Sequence, residues 1–374
     1  MRKKILFVTH ALESPYGAAT SLRTLLHHYT DVDADVIVPR SFRRLRDLTA
    51  LSSHFPGIRR IHEFSIPVDL GAVGMKRNFA EKLHGMAHSL SWWLDRHRYK
   101  ELLAANKYDL VHLNSVVLHK MMLPDTPAVA HVREIIPDTS ALVIEKLAKN
   151  ASLIFIDTTT RKPFAAYEDR MHATTLNNPI DMRRAEHCAE TIDHPQMNPA
   201  TTVFSMIGRI SALKGVNLVI EAFCSGAGPD AALLIVGDGP PDYVAHCRQI
   251  AAADRRVIFF GEEDNVAKVY AATDYVVRGD PQPCVGRTVY EGLYSGCSII
   301  MPGPGSPDMI FEADRFQDAI FWYAPGSKSA LADVFGRCSG KKIGERRFLS
   351  NVEAYVQAFD AFMDSCLNRT SRTK

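Results

Sequence analysis

The sequence predicts an α/β protein with two doubly wound domains, each a parallel sheet with helices on both faces. Short apolar runs of strand length alternate with amphipathic helical segments, and strands separated by helices pair in parallel. The alternation stops in a polar stretch at residues 182–200, which we interpret as a linker, and then restarts. The chain has 374 residues, which corresponds to about two domains of roughly 150 residues each.

The first predicted domain comprises residues 1–181 and the second residues 201–347. In the first, the strand Ile5–Thr9 precedes a glycine-containing loop and the amphipathic segment Thr20–Tyr29. Its further strands are Asp35–Pro39, Leu110–Asn114, Ala128–Val132 and Leu153–Asp157. The strands of the second domain are Val203–Ile207, Ala231–Val236, Val257–Phe260, Tyr275–Val277 and Ser298–Met301. A last amphipathic helix is predicted within residues 348–374.

The composition is typical of a globular, intracellular protein. Hydrophobic residues make up 46% and charged residues 23%, which excludes a mainly disordered chain. The net charge of +2 argues against a nucleic-acid-binding protein with a dominant basic field. Seven scattered cysteines without a Cys-x-x-Cys pair fit a reducing cytoplasm and indicate neither a disulfide framework nor a zinc site. No apolar run approaches the roughly 18 residues of a membrane span.

A cationic loop follows the first strand of the second domain. Gly208 turns the chain, and Arg209 and Lys214 stand five residues apart before a helix that starts near Val216. Cations at the carboxyl end of a strand, beside a helix N-terminus, form a natural site for a diphosphate. The alternative is a solvated loop whose basic side chains contact water, and the residues alone leave both interpretations open.

A second polar block lies at residues 286–297. Gly286 and Thr288, with Arg287 between them, suit a helix start, where backbone N–H groups attract an anion. Glu291 falls about one turn inside this helix, close enough to accept hydrogen bonds from a ribose diol. The alternative is an exposed helical glutamate, which is the usual case for a single carboxylate.

These ordered motifs resemble those of retaining glycosyltransferases of family four, also called group 1, a family that has the GT-B fold and includes sucrose synthase. In the second domain the resemblance rests on Arg209, Lys214-Gly215, Val236–Pro240, Val257–Gly261 and the block Gly286-Arg287…Glu291…Ser295-Gly296. In the first domain it rests on Tyr16-Gly17-Ala18, Asp109–Asn114 and Leu176–Asp181. It covers nearly the whole chain and implies two Rossmann-like domains that face each other across a cleft, with the last helix crossing back to the first domain.

The resemblance also implies roles for individual residues. Arg209 and Lys214 would bind the diphosphate of the donor, and Glu291 its ribose. The donor-binding set that it implies is Gly17, Gly208, Arg209, Lys214, Gly286, Arg287, Thr288 and Glu291. His131, at the carboxyl end of a predicted strand, would bind hydroxyls of the donor sugar or the acceptor, and we count it as catalytic together with Arg209 and Lys214. Arg133 and Glu134, next to His131, would orient the site or bind the acceptor, and we count them as acceptor-binding residues.

The chain departs from the family pattern at one important position. The family motif has two glutamates eight positions apart; Glu291 matches the second, but Pro283 stands where the first should be. That first carboxylate normally faces the donor sugar, so its loss bears on the identity of the sugar or on activity itself. Asp280 and Gln282 lie nearby in the sequence and are the candidates to replace it.

The segment 40–100 is strongly basic, with twelve Lys or Arg against five Asp or Glu, and aromatic residues lie between the charges. Such a surface suits anionic lipid headgroups or a diphosphate-linked lipid acceptor. The alternative is a basic, solvated face that covers core aromatic residues. The segment thus qualifies the near-neutral charge of the whole chain.

The sequence therefore predicts a retaining, metal-independent glycosyltransferase that needs no cofactor. It would move a sugar from a UDP- or GDP-sugar to a glycan or lipid-linked acceptor in bacterial surface polysaccharide synthesis. We expect it in the cytoplasm, at the inner face of the cell membrane, without a nucleic-acid partner. Two alternatives stay open: a nucleotide-sugar-binding module that has lost turnover, and a nucleotide-sugar epimerase of the same fold.

Overall fold

The computed structural model describes residues 2–372 except 15–16, 41–47, 75–78, 125, 184, 186–191, 193, 195–199, 253, 282–284, 304–311 and 345. At 49–51, 79–89, 313 and 370–372 it describes the backbone alone. The chain divides into two compact units. Unit 1 is Met1–Pro179 with Val352–Lys374, and unit 2 is Ile180–Asn351. Most of the stretch interpreted as a linker, 182–200, lies outside the described residues.

Unit 1 contains a parallel sheet with the strand order β3-β2-β1-β4-β5-β6-β7. The strands are β1 Lys3–Val8, β2 Val32–Pro39, β3 Ile58–Phe64, β4 Leu110–Leu113, β5 Ala128–Val132, β6 Ser152–Phe155 and β7 Ala173–Thr175. The helices that precede unit 2 are α1 Gly17–His28, α2 Leu48–Ser53, α3 Phe79–Asn106, α4 Ala141–Asn150 and α5 Thr158–Arg161. The direction of strand addition reverses between β1 and β4, which makes their carboxyl ends the topological switch point.

Both faces of this sheet are covered because alternate side chains of β1 point to opposite sides. Ile5 and Phe7 pack against α1, whereas Leu6 and Val8 pack in the cluster that contains Tyr99 of α3. The strands are therefore apolar without alternation, as expected of a sheet buried on both faces.

Unit 2 repeats the architecture with the strand order β10-β9-β8-β11-β12-β13, and every pair is parallel. The strands are β8 Thr202–Ile207, β9 Ala231–Val236, β10 Val257–Gly261, β11 Tyr275–Val277, β12 Ser298–Pro302 and β13 Ile320–Tyr323. The helices are α6 Val216–Gly226, α7 Pro241–Ala251, α8 Val266–Ala272, α9 Arg287–Tyr294, α10 Ala313–Phe316 and α11 Lys328–Cys338. Its switch point lies between β8 and β11.

The last helix, α12 Val352–Arg372, follows unit 2 in the chain but belongs to unit 1. Phe359 of α12 stacks on Phe7 of β1 with ring centroids 6.5 Å apart, and Lys3 pairs with Asp360 and Asp364. The core of unit 1 is thus closed by a helix from the far end of the sequence. Among the described residues, none of the helices combines the length and apolar character needed to cross a membrane.

Candidate functional site

The loops at the switch point of unit 2 pack backbone against backbone. A Cβ atom on Gly237 would lie 2.0 Å from the carbonyl oxygen of Gly208, and one on Gly215 would lie 1.9 Å from that of Gly279. Gly208, Gly215 and Gly237 also have positive φ angles, of 124°, 62° and 132°. Only glycine satisfies both demands, so these loops approach each other more closely than residues with a side chain would allow.

We call Gly208, Gly215 and Gly237 the glycine frame. The two predicted cations, Arg209 and Lys214, lie beside it and differ in their hydrogen-bond partners. Arg209 is exposed, and among the described residues it has no hydrogen-bond or ion-pair partner. The Nζ atom of Lys214 lies 3.0 Å from Oδ1 of the buried Asp280. Arg209 is thus available to an anionic ligand, while Lys214 is held in place by a carboxylate of its own unit.

The sequence analysis missed a third cation, Arg278, which is buried beside Lys214. Its Nε atom donates to Oδ2 of Asp280 at 2.7 Å, and its Nη1 donates to Oγ1 of Thr288 at 3.1 Å. Gly286 leaves room for it, since a Cβ there would lie 2.4 Å from that same nitrogen. The available signal was its position directly after β11, the strand next to β8.

The carboxylate of Glu291 is buried, not exposed as the alternative interpretation required. Its Oε1 accepts a hydrogen bond of 2.6 Å from Nε of Arg287, and its Oε2 accepts one of 2.8 Å from the hydroxyl of Tyr270. Burial and the nearby carboxylate raise the pKa of Tyr270 well above its usual value, so the phenol remains a donor. Arg287 and Thr288 therefore contact other residues of the site directly.

Of the two residues proposed to replace the missing glutamate, only Asp280 can be placed. Gln282 and Pro283 lie outside the described residues. Asp280 accepts hydrogen bonds from both Lys214 and Arg278, so it joins two cations at the switch point.

At the switch point of unit 1, side chains rather than glycines connect the loops. Nδ2 of Asn114, which follows β4, donates to the carbonyl of Ala18 in α1 at 3.0 Å. Nη1 of Arg133, which follows β5, donates to Oδ1 of Asn178 at 2.7 Å, and its Nη2 to Oδ1 of Asn114 at 3.1 Å. The hydroxyl of Ser21 donates to the same oxygen of Asn178 at 2.8 Å. Arg133 is thus bound within its own unit.

Gly17 is the exposed first residue of α1, and a Cβ there would meet nothing within 4 Å. Its predicted role near the donor phosphates stays a prediction. Tyr16, its neighbour in the motif, lies outside the described residues.

His131 lies within β5, and its side chain is fully buried. Its Nδ1 lies 3.2 Å from Nη2 of Arg133, and its ring packs on that of His112 with centroids 5.6 Å apart. Burial, followed by the positive charge of Arg133, lowers the pKa of His131 well below its usual value. The imidazole is therefore neutral at physiological pH.

Glu134 follows Arg133 and is bound on one side only. Oε1 accepts a hydrogen bond of 2.6 Å from the hydroxyl of Ser115, while Oε2 is buried without a partner among the described residues. Burial raises the pKa of this carboxyl. Its predicted contact with the acceptor is not tested by this geometry, and neither is that of Arg133.

Part of the chain matches a known protein family by sequence. Residues 201–339 match the family described as glycosyl transferases group 1. None of the curated proteins matches the chain by sequence.

Solved structures match over almost the entire chain. Anabaena HepE in complex with UDP and glucose has a TM-score of 0.65 at 18% identity, covering 100% of this chain and 99% of that one. Sucrose-phosphate synthase from Thermosynechococcus elongatus has a TM-score of 0.67 at 14% identity, with coverages of 100% and 99%. The lipopolysaccharide outer core galactosyltransferase WaaB, in its apo form, has a TM-score of 0.60 at 14% identity, with 99% of both chains covered. These likenesses confirm the predicted fold class.

Proposed function

Because residues 201–339 match the group 1 glycosyltransferases and the chain has the GT-B fold, we propose that this protein is a retaining, metal-independent glycosyltransferase. It transfers a sugar from a nucleoside diphosphate to a glycan or lipid-linked acceptor. The observation that carries the proposal is Arg209, an exposed cation on a glycine frame at the switch point of unit 2. Doubly wound sheets bind their ligands at such points.

The donor diphosphate binds to Arg209 and Lys214, next to the backbone N–H groups at the start of α9. As the bond between sugar and diphosphate breaks, negative charge develops on the leaving oxygens, and these preplaced positive groups stabilise it. Glu291 holds the ribose. Anabaena HepE has been solved with UDP-glucose, which supports a UDP-sugar as the donor here.

Retention follows if the acceptor attacks from the side of the departing diphosphate, whose oxygens take the acceptor's proton. The two carboxylates beside the cations suit this route, since Asp280 is bound by Lys214 and Arg278, and Glu291 by Arg287 and Tyr270. The step therefore needs no protein base from either of them.

Isothermal titration calorimetry with UDP and GDP tests the donor site. We expect UDP to bind the native protein, and Arg209→Ala to weaken binding about 10- to 100-fold, because a hydrogen bond to a charged group contributes about 1.5–3 kcal/mol. Arg255→Ala is the matched control, since Arg255 is also exposed but precedes β10 at the opposite edge of the sheet. If neither nucleotide binds, or both variants behave like the native protein, the donor site is misassigned.

We place the reaction in the cytoplasm at the inner face of a bacterial membrane, in surface polysaccharide synthesis. The similarity to the lipopolysaccharide galactosyltransferase supports this role. In unit 1, α3 exposes Leu90, Trp93 and Leu94 by 65%, 70% and 64%, with the exposed Arg96 and Lys100 beside them. Apolar side chains flanked by cations suit an anionic lipid surface. Residues 41–47 and 75–78 of the basic segment lie outside the described residues.

Sedimentation with lipid vesicles tests this surface. The double substitution Trp93→Ala and Leu94→Ala should reduce binding to phosphatidylglycerol vesicles several-fold, because both exposed side chains would otherwise enter the interface. Leu142→Ala is the control, since Leu142 is 81% exposed on a different helix, α4. Equal binding of all three proteins, or equal binding to neutral phosphatidylcholine, would argue against the membrane contact.

A second candidate function is a nucleotide-sugar-binding module without turnover, which Pro283 favours. The two functions differ in one measurement. Transfer or hydrolysis of radiolabelled UDP-sugar identifies the enzyme, whereas tight UDP binding with no product on any glycan or lipid acceptor identifies the module. Conversion of the donor sugar into its epimer without acceptor would indicate an epimerase instead.

A further inference from the structure

The hydrogen bond between Arg133 and His131 determines where the imidazole carries its proton. A guanidinium group has only N–H donors and stays charged in proteins. Nη2 of Arg133 lies 3.2 Å from Nδ1 of His131, so Nδ1 must accept with its lone pair. In the neutral ring the hydrogen then resides on Nε2. This nitrogen is buried, and among the described residues it has no hydrogen-bond partner.

Arg133 is itself fixed in orientation by three further acceptors. Its Nε donates to the carbonyl oxygen of Asn114 at 3.1 Å, its Nη2 to the side chain of Asn114, and its Nη1 to Asn178. Asn178 is held in turn by Ser21 of α1. A guanidinium bound on every nitrogen cannot turn away from the imidazole without breaking several bonds.

We propose that Arg133 is a positioning residue that locks His131 as an Nε2–H hydrogen-bond donor, and that the partner of this donor is a lone pair of a sugar hydroxyl. The assignment rests on the proposed function, because it assigns a substrate atom as the partner of the Nε2–H group of His131. It makes the predicted roles of both residues more specific. His131 binds as a donor and does not act as a base through Nε2, and Arg133 acts through His131 rather than on the acceptor.

The groups around His131 keep it neutral. Arg133 follows β5, and His112 faces His131 from β4, itself packed on Phe7 of β1 and Phe359 of α12. Burial lowers the pKa of His112 to about 3, so it adds no charge at neutral pH. Removing the charge of Arg133 should raise the pKa of His131, while burial still holds it below its usual value.

Nitrogen-15 NMR of the histidine-labelled protein without nucleotide tests the tautomer directly. His131→Asn identifies the signals by their loss. We expect an unprotonated Nδ1 and a protonated Nε2 that do not change across neutral pH. A protonated Nδ1 would overturn the proposal, and this result needs no variant at position 133. Because no donor is present, the outcome is independent of the calorimetry that tests the proposed function.

Substitution at Arg133 tests the positioning role. In Arg133→Met the neutral ring exchanges between tautomers, so sugar transfer should fall about twofold at pH 8, because roughly half of the rings lose the Nε2 proton. Transfer should recover as the pH falls, because the imidazolium carries a proton on both nitrogens. Arg133→Lys, which keeps a charged donor, should restore much of the activity, and the exposed Arg170→Gln is the control. If sugar transfer falls equally at every pH and the tautomer of His131 is unchanged, Arg133 has only a structural role. If Arg133→Met does not fold, the Arg133→Lys variant and the spectrum of the native protein still test the positioning role.

Discussion

The two units have the same strand order over six strands, yet they use an arginine at the switch point in opposite ways. In unit 1, Arg133 donates hydrogen bonds to Asn114, Asn178 and His131. In unit 2, Arg209 is exposed and has no such partner among the described residues. One topology thus presents a neutral, fixed hydrogen-bond donor in one unit and a positive charge in the other. The first suits a hydroxyl, and the second suits a phosphate.

The difference arises from how the loops fill the space above the strands. In unit 2, glycines let the loops after β8, β9 and β11 approach until their backbones touch. In unit 1, the loops after β4 and β5 carry Asn114, Ser115 and Glu134, and these side chains join the loops by hydrogen bonds. Backbone-built and side-chain-built sites should respond differently to substitution.

The largest expected effect is on the buried ion pair of unit 2. Asp280→Asn removes the carboxylate that Arg278 and Lys214 share and leaves the buried Arg278 without a counter-charge. We expect the free energy of unfolding to fall by about 3 kcal/mol, as is typical when one partner of a buried pair is removed. Denaturant unfolding measures this, with the exposed Asp230→Asn as the control. Equal stabilities would mean that Arg278 finds another partner.

A smaller effect is expected at the glycine frame, and it separates two causes. Gly215 and Gly326 have similar φ angles, 62° and 72°, but only Gly215 faces a backbone oxygen at 1.9 Å. Gly326→Ala should cost only the left-handed conformation, about 1 kcal/mol. Gly215→Ala must also move the loop of Gly279, so it should cost more and weaken UDP binding. Thermal unfolding and calorimetry measure both, and similar results for the two variants would refute the importance of the close approach.

The smallest effect concerns a carboxyl group of unit 1. Burial raises the pKa of Glu134 in the folded state, so the unfolded state ionises more readily and stability is lost as the pH rises above the unfolded pKa. Glu134→Gln keeps an acceptor for Ser115 and removes the charge. It should raise the free energy of unfolding by a fraction of a kcal/mol at pH 7, and the gain should disappear near pH 3. Denaturant unfolding at both pH values measures it; a variant less stable at pH 7 would contradict the prediction.

Sequence patterns predicted the features that are local in the chain. The alternation of strands and helices predicted most strands of both sheets, although not β3, β7 and β13. The motif around Gly208 and Arg209 predicted the switch-point loop, because it is written in consecutive residues. Arg278 belongs to no motif, and only the adjacency of β11 and β8 reveals its position. The strand predicted at Ala128–Val132 is present. The burial of His131 within it depends on residues such as His112, which are distant in the sequence and adjacent only in the fold.

The hydrogen-bond network of unit 1 was beyond the sequence for the same reason. Asn114, Arg133 and Asn178 are 19 and 45 residues apart, and each alone looks like an ordinary loop residue. The orientation of Arg133 depends on all three acceptors at once. The sequence therefore placed Arg133 in the site only through its position beside His131, and its acceptor role stays a prediction.

The position of α12 has a consequence for how the protein is made. Residues 180–351 form unit 2 from one continuous stretch, whereas the core of unit 1 needs Phe359 and its neighbours, which the ribosome adds after unit 2. During synthesis, the second unit can therefore reach its native structure before the first. Until α12 emerges, Ile5, Phe7 and Leu22 lack part of their apolar cover, and the nascent chain exposes a surface that chaperones recognise. The order of the units along the gene is the reverse of the order in which their cores can be completed.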